Sequence, residues 1–355
     1  MSFSLRSLLL AAAFLLSPAF VASSNVANAG LSYTCDASVS SSTCNYLNTT
    51  IAALYNNTFT NVNASIYIQY GATGLGESTT GYFNTISYST YVTDLTNAGG
   101  SGLVRADAIA SLPGTEPALW GGGGSNGNVS ITSALGTALG ITGLNGTTAG
   151  GSICTVGTSG CYNGIITITN DGGTPLYYRT GPDPSDAYDY YSVVEHETDE
   201  VLGTSSCIST QSSPNLVNGC TDAGATAAAV DLFRCGPTNT HVLADNTPGA
   251  YFSYNGCSSN GADGRVYNTL VNGDDFADFI SGCPGSPSVQ DATGCPGYSG
   301  LDITNDGGAE INILDAEGYN LASQNPTSTP EPMSLALLGS GVLGLVGLRR
   351  KVARG

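Results

Sequence analysis

Residues 189–203 read DYYSVVEHETDEVLG, and this stretch decides the fold that we expect for the chain. On a helix, residues four apart share a face, so His196 and Glu200 are expected to point the same way, with Glu197 at the edge of that face. The chain has only two histidines, so a histidine set among several carboxylates is informative. The pattern predicts a helix that presents one imidazole and two carboxylates together.

Both ends of this helix carry sequence signals. Asp183 or Ser185 is expected to cap its start, since short polar side chains accept the free backbone N–H groups of a first turn. Gly203 is expected to end it in a left-handed conformation, which glycine adopts without a steric penalty. The buried side of the helix is expected to consist of Val193, Val194, Val201 and Leu202.

The residue types of this helix are typical of metal-dependent hydrolysis. Such a site needs three protein ligands, an open position for water and a carboxylate that takes a proton from the water. His196 and Glu200 are the predicted metal ligands, and Glu197 is the predicted catalytic general base. The sequence leaves the third ligand open between three candidates, which are Asp231, Asp222 and His241.

The run from His196 to Gly203 resembles the active-site helix of zincin metalloproteases. Against the metzincin pattern H-E-x-x-H-x-x-G-x-x-H, three positions match, namely His196, Glu197 and Gly203. Glu200 stands in place of the second histidine, and Ser206 stands in place of the third. Because serine is a poor zinc ligand, the third ligand must come from elsewhere in the chain.

The resemblance extends to a family of exported zincin-like metalloproteases with a His-Glu-x-x-Glu helix. It implies an α+β fold of metzincin-like type over residues 30–325, with a twisted mixed sheet, an active-site helix and disulfide-stapled loops. It also implies hydrolysis of a protein or peptide substrate with one divalent metal, zinc by analogy, although carboxylate ligands also suit harder cations. The matching blocks are Ile66–Gly71, Ala110–Pro113, Asp231–Arg234, Tyr251–Ser253, Gln290–Ala292 and Leu314–Asn320.

Two apolar runs predict strands of that sheet. Ile66–Tyr70 and Gly164–Thr169 are rich in β-branched residues and end at turn residues. In a zincin, the strand nearest the cleft runs antiparallel to the bound substrate, and we expect Gly164–Thr169 to be that strand. Val230–Arg234 is also expected to be extended, and Ile311–Asn320 is expected to form a final helix closed by Gly318.

The two ends of the chain carry targeting signals. Residues 1–29 have the positive start, apolar core and Ala27–Ala29 cleavage site of a secretory signal peptide. Residues 326–355 comprise a linker, the sequence Pro330–Pro332, an apolar run and a basic end. This arrangement resembles a PEP-CTERM sorting signal, and it implies transient anchoring in the inner membrane, recognition by an exosortase-type enzyme, and release to the cell surface or extracellular matrix.

Composition narrows the remaining choices. Residues 30–325 hold four basic and 26 acidic residues, a net charge of −22, and no lysine. So acidic a surface excludes nucleic acid as a partner. The ten cysteines of an exported chain favour disulfides. Nearest-neighbour pairing predicts Cys35–Cys44, Cys154–Cys161, Cys207–Cys220, Cys235–Cys257 and Cys283–Cys295.

A different class of function also fits the sequence. The chain could keep a zincin-like scaffold without catalysis and serve as a structural or adhesive protein of the exopolysaccharide matrix. Metal binding at His196 distinguishes the two hypotheses, since the matrix role does not require it.

Overall fold

A mixed sheet of four strands organises the described part of the chain. The structure is a computed structural model, and it describes residues 30–80, 84–100, 102–113, 128–182, 184–207, 227–242, 248–258, 265–268 and 275–322. The strands are β1 (Leu31–Cys35), β2 (Ala64–Gly71), β3 (Gly76–Thr80), β4 (Asn84–Ser87), β5 (Asn128–Ile131), β6 (Asn145–Thr148), β7 (Ile153–Thr155), β8 (Cys161–Tyr162), β9 (Gly164–Thr169), β10 (Leu176–Tyr177), β11 (Tyr188–Asp189), β12 (Arg234–Cys235) and β13 (Tyr251–Phe252). The helices are α1 (Ser41–Tyr46), α2 (Ala52–Thr58), α3 (Tyr88–Asn97), α4 (Leu103–Ser111), α5 (Ser133–Ala138), α6 (Tyr190–Asp199) and α7 (Ala309–Glu317).

The principal sheet has the order β1-β2-β9-β3. Its first three strands are parallel, with Ile66 opposite Gly164 between β2 and β9. The last strand, β3, runs antiparallel to β9 and forms an edge of the sheet. The architecture is therefore α+β with a mixed sheet, which confirms that part of the expected fold class.

The cleft strand was predicted wrongly. Gly164–Thr169 is a strand, as expected, but it is an interior one, paired with β2 on one side and β3 on the other. Its run of apolar residues is typical of a strand covered on both faces, and five of its six residues are buried. The edge strand beside the cleft is β3, whose sequence Gly-Glu-Ser-Thr-Thr has no apolar run.

The core lies between this sheet and the helices packed on it. In β2 the buried residues alternate, with Ala64, Ile66 and Ile68 facing inward. Helix α6 packs against β3 and β9, and it also contacts Leu47–Ile51, a π-helical segment between α1 and α2. The apolar side of α6 predicted from the sequence, with Val193, Val194, Val201 and Leu202, is buried.

The start of α6 differs from the prediction. The cap is Asp189, whose Oδ1 accepts the backbone N–H groups of Tyr191 and Ser192. Ser185 lies outside the helix, because residues 188–189 form strand β11 before the helix begins. Asp183 lies outside the described residues. The Oδ2 atom of Asp189 pairs with Arg179 at 2.7 Å, which ties the helix start to the preceding loop.

The end of α6 follows the prediction. The helix continues through a π-helical turn, Glu200–Thr204, in which Gly203 has a φ of 152°. A Cβ atom at Gly203 would overlap the carboxylate of Glu317, so both the backbone and the space require glycine there. This contact brings the end of α6 against the end of α7.

Two further predicted elements have mixed outcomes. Val230–Arg234 was predicted to be extended, but Val230–Phe233 forms a 3₁₀ turn and only Arg234 enters a strand. The last helix is confirmed as α7, and it stops at Gly318, whose φ of 150° leaves the helical region.

Four of the predicted disulfides are present, which confirms the nearest-neighbour pairing at those sites. The fifth pair involves Cys220, which lies outside the described residues, as do both targeting segments. Among the residues that the structure describes, no helix is both long and apolar enough to cross a membrane. The observed pairs are Cys35–Cys44, Cys154–Cys161, Cys235–Cys257 and Cys283–Cys295.

Helix α7 buries an acid at its end. Glu317 is fully buried, and neither of its carboxylate oxygens has a hydrogen-bond partner among the described residues. Burial raises the pKa of Glu317 well above its usual range, and the charges of Asp231 and Asp199 add to the rise. The folded state therefore holds a proton on Glu317 at pH values where the unfolded chain has lost it.

We predict that Glu317→Gln makes stability less dependent on pH. A raised folded-state pKa contributes stability below the unfolded pKa of about 4.3, and that contribution disappears as pH rises through the folded value. A neutral amide removes this loss, which amounts to about 1.4 kcal/mol for each unit of pKa elevation. Thermal unfolding of the metal-free mature domain should show a gain in Tm of at least about 2 °C at pH 7.5.

The matched control for this experiment is Asp107→Asn on α4, because Asp107 is exposed. It should leave the pH profile unchanged. An equal slope of Tm against pH for Glu317→Gln and the parent protein would contradict the prediction.

Candidate metal centre

Three possible ligand atoms converge at the end of α6. His196 Nε2 lies 3.8 Å from Glu200 Oε1 and 3.6 Å from Asp278 Oδ1, and the three residues offer ligand atoms within 4.8 Å of one another. Zinc bonds of about 2.0–2.2 Å in tetrahedral geometry separate ligand atoms by roughly 3.4 Å. The distances from His196 Nε2 to the two carboxylate oxygens are therefore close to the ligand-to-ligand distances of a zinc site.

The backbone fixes the orientation of the His196 ring. Its Nδ1 donates a hydrogen bond to the carbonyl oxygen of Val289 at 2.9 Å. Because a carbonyl oxygen can only accept, Nδ1 carries the proton, and the Nε2 lone pair is directed to the other two ligands. A hydrogen bond of this kind to the second ring nitrogen is the usual support of a metal-bound histidine.

The two carboxylates are also held in place. Glu200 Oε2 accepts a hydrogen bond from the hydroxyl of Ser78 on β3, which leaves Oε1 directed to His196. Asp278 Oδ1 accepts a hydrogen bond of 2.8 Å from the side-chain amide of Gln290. Both acids are buried. A cation bound at this position would offset the cost of burying two carboxylates beside one imidazole nitrogen.

The predicted base, Glu197, lies beside this group in a buried position. Strand β3 makes room for it at Gly76, where a Cβ atom would overlap Glu197 Oε1. Burial raises the pKa of Glu197 well above its usual range, and the charges of Glu200 and Asp278 raise it further. Both effects favour the protonated form of Glu197 relative to an exposed glutamate.

These side chains open into a cleft of about 300 Å³. One wall is formed by residues 74–78, which include the start of β3, and another by residues 287–292. Helix α6 contributes His196 and Glu197 between them, and Tyr188 also lines the cleft. The candidate ligands and the base therefore all line one cleft.

The structure brings together the three predicted site residues, which lie on α6 and at the start of the π-helical turn that follows it, but neither of the two described candidates for the third ligand. Asp231 is buried elsewhere and accepts hydrogen bonds from Ser206 Oγ at 2.5 Å and from two backbone N–H groups. His241 lies near Cys235 and Cys257, and these two cysteines are joined in a disulfide, so their sulfurs are not free to bind metal. Asp222 lies outside the described residues.

Asp278 occupies the third position, and the sequence analysis missed it. It lies in an acidic stretch, residues 274–278, that is 82 positions from His196. That stretch was a visible signal, since carboxylates are common metal ligands, but nothing in its spacing relates it to the helix. Only the folded chain shows that this loop reaches His196.

Comparison with known protein families finds a sorting motif at the C-terminal end of the chain. A family model of the PEP-CTERM protein-sorting motif matches residues 328–351. The chain carries this motif, which marks it as an exported protein and is consistent with recognition by an exosortase-type sorting enzyme. No curated protein and no solved structure matches the chain.

We predict that Gln290→Leu weakens metal binding by about tenfold, the lower end of the range for residues that orient ligands. Gln290 is fully buried, and its Oε1 has no partner in the described structure, so leucine also removes one unsatisfied acceptor. The fold should therefore survive. Titration of the metal-free domain against a competing chelator measures the Kd.

The matched control is Gln69→Leu on β2, where the amide donates to Thr167 away from the cleft. It should bind metal as the parent protein does. If Gln290→Leu also has the parent Kd, Gln290 does not orient Asp278.

Proposed function

We propose that the chain is an exported metal-dependent peptidase of zincin-like architecture. The observation that supports this proposal best is the approach of His196 Nε2 to Glu200 and Asp278 beside the buried base Glu197. One imidazole and two carboxylates suit zinc, although carboxylate oxygens also suit harder divalent ions. A cleft with β3 at its edge provides a place for an extended substrate.

The residues of the chain divide the chemistry between them. His196, Glu200 and Asp278 would hold a divalent cation, which supplies Lewis-acid chemistry to water and to the scissile carbonyl group. Glu197 takes the proton from the attacking water and later delivers it to the leaving amine. Val289, Ser78 and Gln290 keep the ligands oriented by the hydrogen bonds described above.

We also propose how the sorting signal serves this function. The apolar run at 333–348 would anchor the exported chain transiently in the inner membrane, with the basic residues 349–351 on the cytoplasmic side. Cleavage by an exosortase-type enzyme would then release the domain to the cell surface or matrix. Peptidase activity would act on proteins outside the cell.

The first test of this proposal is metal content. The purified mature domain should contain about one divalent ion per chain by elemental analysis, and His196→Ala should lose it, because the imidazole supplies one of three ligands. His241→Ala alters the other histidine of the chain and should retain the ion. Absence of metal from the parent protein would reject the peptidase and favour the non-catalytic matrix protein.

The second test separates metal binding from catalysis. Glu197→Gln should retain the ion but cleave an unstructured protein substrate at least about 100-fold more slowly, because the amide cannot take a proton. Cleavage is followed by the appearance of new amino termini. Equal rates for Glu197→Gln and the parent protein would show that Glu197 is not the base.

A further inference from the structure

The acids of the cleft extend beyond the candidate metal ligands and the base. Glu77 lies on β3 and is exposed, while Asp291 lies on the wall formed by residues 287–292. Asp275 also lines the cleft. In the described part of the protein, no lysine or arginine lines this cleft, and His196 is its only basic side chain.

None of the four arginines of residues 30–325 forms an ion pair with Glu77 or Asp291 in the described structure, although the charge of Arg265 acts to lower the pKa of Asp291. Three pair with carboxylates outside the metal centre, namely Asp315, Asp189 and Asp231, and the fourth, Arg265, donates to backbone carbonyl groups while lying over an aromatic ring. A divalent cation held by Glu200 and Asp278 would match the two charges of these carboxylates and leave the other acids of the cleft without a bound counterion. The four arginines are Arg105, Arg179, Arg234 and Arg265.

Polar atoms in the cleft wall also lack partners. Asp291 is 3% exposed, and its Oδ1 has no hydrogen-bond partner among the described residues, although its Oδ2 accepts from two backbone N–H groups. Ser288 Oγ, in the same wall, is likewise buried without a partner. A donor from a bound molecule would satisfy both atoms.

The two acids lie on different sides of the reaction centre. Glu77 belongs to the β3 wall and interacts electrostatically with Glu197. Asp291 belongs to the other wall and interacts electrostatically with His196. A substrate placed against Glu197 and His196 would therefore have a carboxylate on either side of the bond that is cut.

We propose that the cleft selects peptide segments with an arginine or lysine next to the scissile bond, and that Glu77 and Asp291 are the contacts for these cationic side chains. The inference rests on the proposed peptidase function and names its substrate class. A cleft lined by charges of one sign concentrates ligands of the opposite sign, and unpaired acids reject acidic substrates.

The test compares three quenched fluorescent peptides that differ at one position, with arginine, its neutral isostere citrulline, or glutamate. The metal-loaded parent domain should cleave the arginine peptide with a kcat/KM about tenfold above that of the citrulline peptide at low salt. The glutamate peptide should be the poorest substrate. The arginine preference should shrink at 0.5 M salt, since ions screen the acids.

Substitutions test whether Glu77 causes the preference for the arginine peptide. Glu77→Gln should lower the arginine-to-citrulline ratio by about threefold, as expected for the loss of one exposed charge contact. Asp107→Asn makes the same charge change on α4, outside the cleft, and should leave the ratio unchanged. Equal ratios for Glu77→Gln and the parent domain would overturn the assignment of Glu77.

Binding to metal-loaded Glu197→Gln separates this inference from the proposed function. One outcome is that the parent domain cleaves no peptide while the variant binds the arginine peptide more tightly than the citrulline peptide. In that case the peptidase proposal fails and the cationic preference stands. If all three peptides are cleaved equally, the preference fails and the peptidase stands. If no peptide binds, the preference is overturned as well.

Discussion

The burial of carboxyl groups on α6 is the constraint on which the rest of the structure depends. Glu195, Glu197, Asp199 and Glu200 are all buried on one short helix. A buried carboxylate is costly unless it is hydrogen-bonded, paired with a cation or protonated. The protein meets this cost with donors from distant segments, since Ile303 N–H reaches Glu195, Tyr55 O–H reaches Asp199 and Ser78 O–H reaches Glu200. The helix is therefore stable only inside the complete fold. Glu197 has the buried carboxyl groups of Glu200 and Asp278 as neighbours, and a cation at that position would relieve their mutual repulsion.

This constraint links the candidate metal centre to α7 through Val289 and Gln290. Their backbone N–H groups donate to carboxylates of Asp306 and Glu310, at the start of α7. The carbonyl oxygen of Val289 and the side chain of Gln290 in turn orient two of the ligands. Val289 and Gln290 thus connect the acids near the start of α7 with the candidate ligands His196 and Asp278. The acids before and at the start of α7 therefore support the two residues that orient His196 and Asp278, without touching either of them.

The sequence predicts the parts of this arrangement that depend on a pattern within a few neighbouring residues. The four-residue spacing of His196 and Glu200, the apolar runs of β2 and β9, and the glycine at 203 all have a physical signature within a few residues. Asp278 has none, because its role depends on a loop returning to the helix from 82 positions away. Strand β3 was missed for a related reason. An edge strand needs no continuous apolar run, so its short polar sequence is not distinguished from a loop. The helix cap at Asp189 was misplaced because several nearby acids and serines satisfy the same capping preference.

The replacement of imidazoles by carboxylates affects both halves of the proposed chemistry. Two anionic ligands would neutralise more of a dication's charge than two histidines would, so the proposed site would polarise a carbonyl group less strongly. The same two carboxylates, together with burial, raise the pKa of Glu197. A carboxylate with a raised pKa has a greater affinity for the proton of the attacking water. A cation held by Glu200 and Asp278 would offset their charges, so the burial of Glu197 would be the cause of this rise that remains in the proposed site. The departure of Glu200 and Asp278 from a histidine-rich ligand set is thus compatible with hydrolysis, provided that Glu197 stays buried against β3.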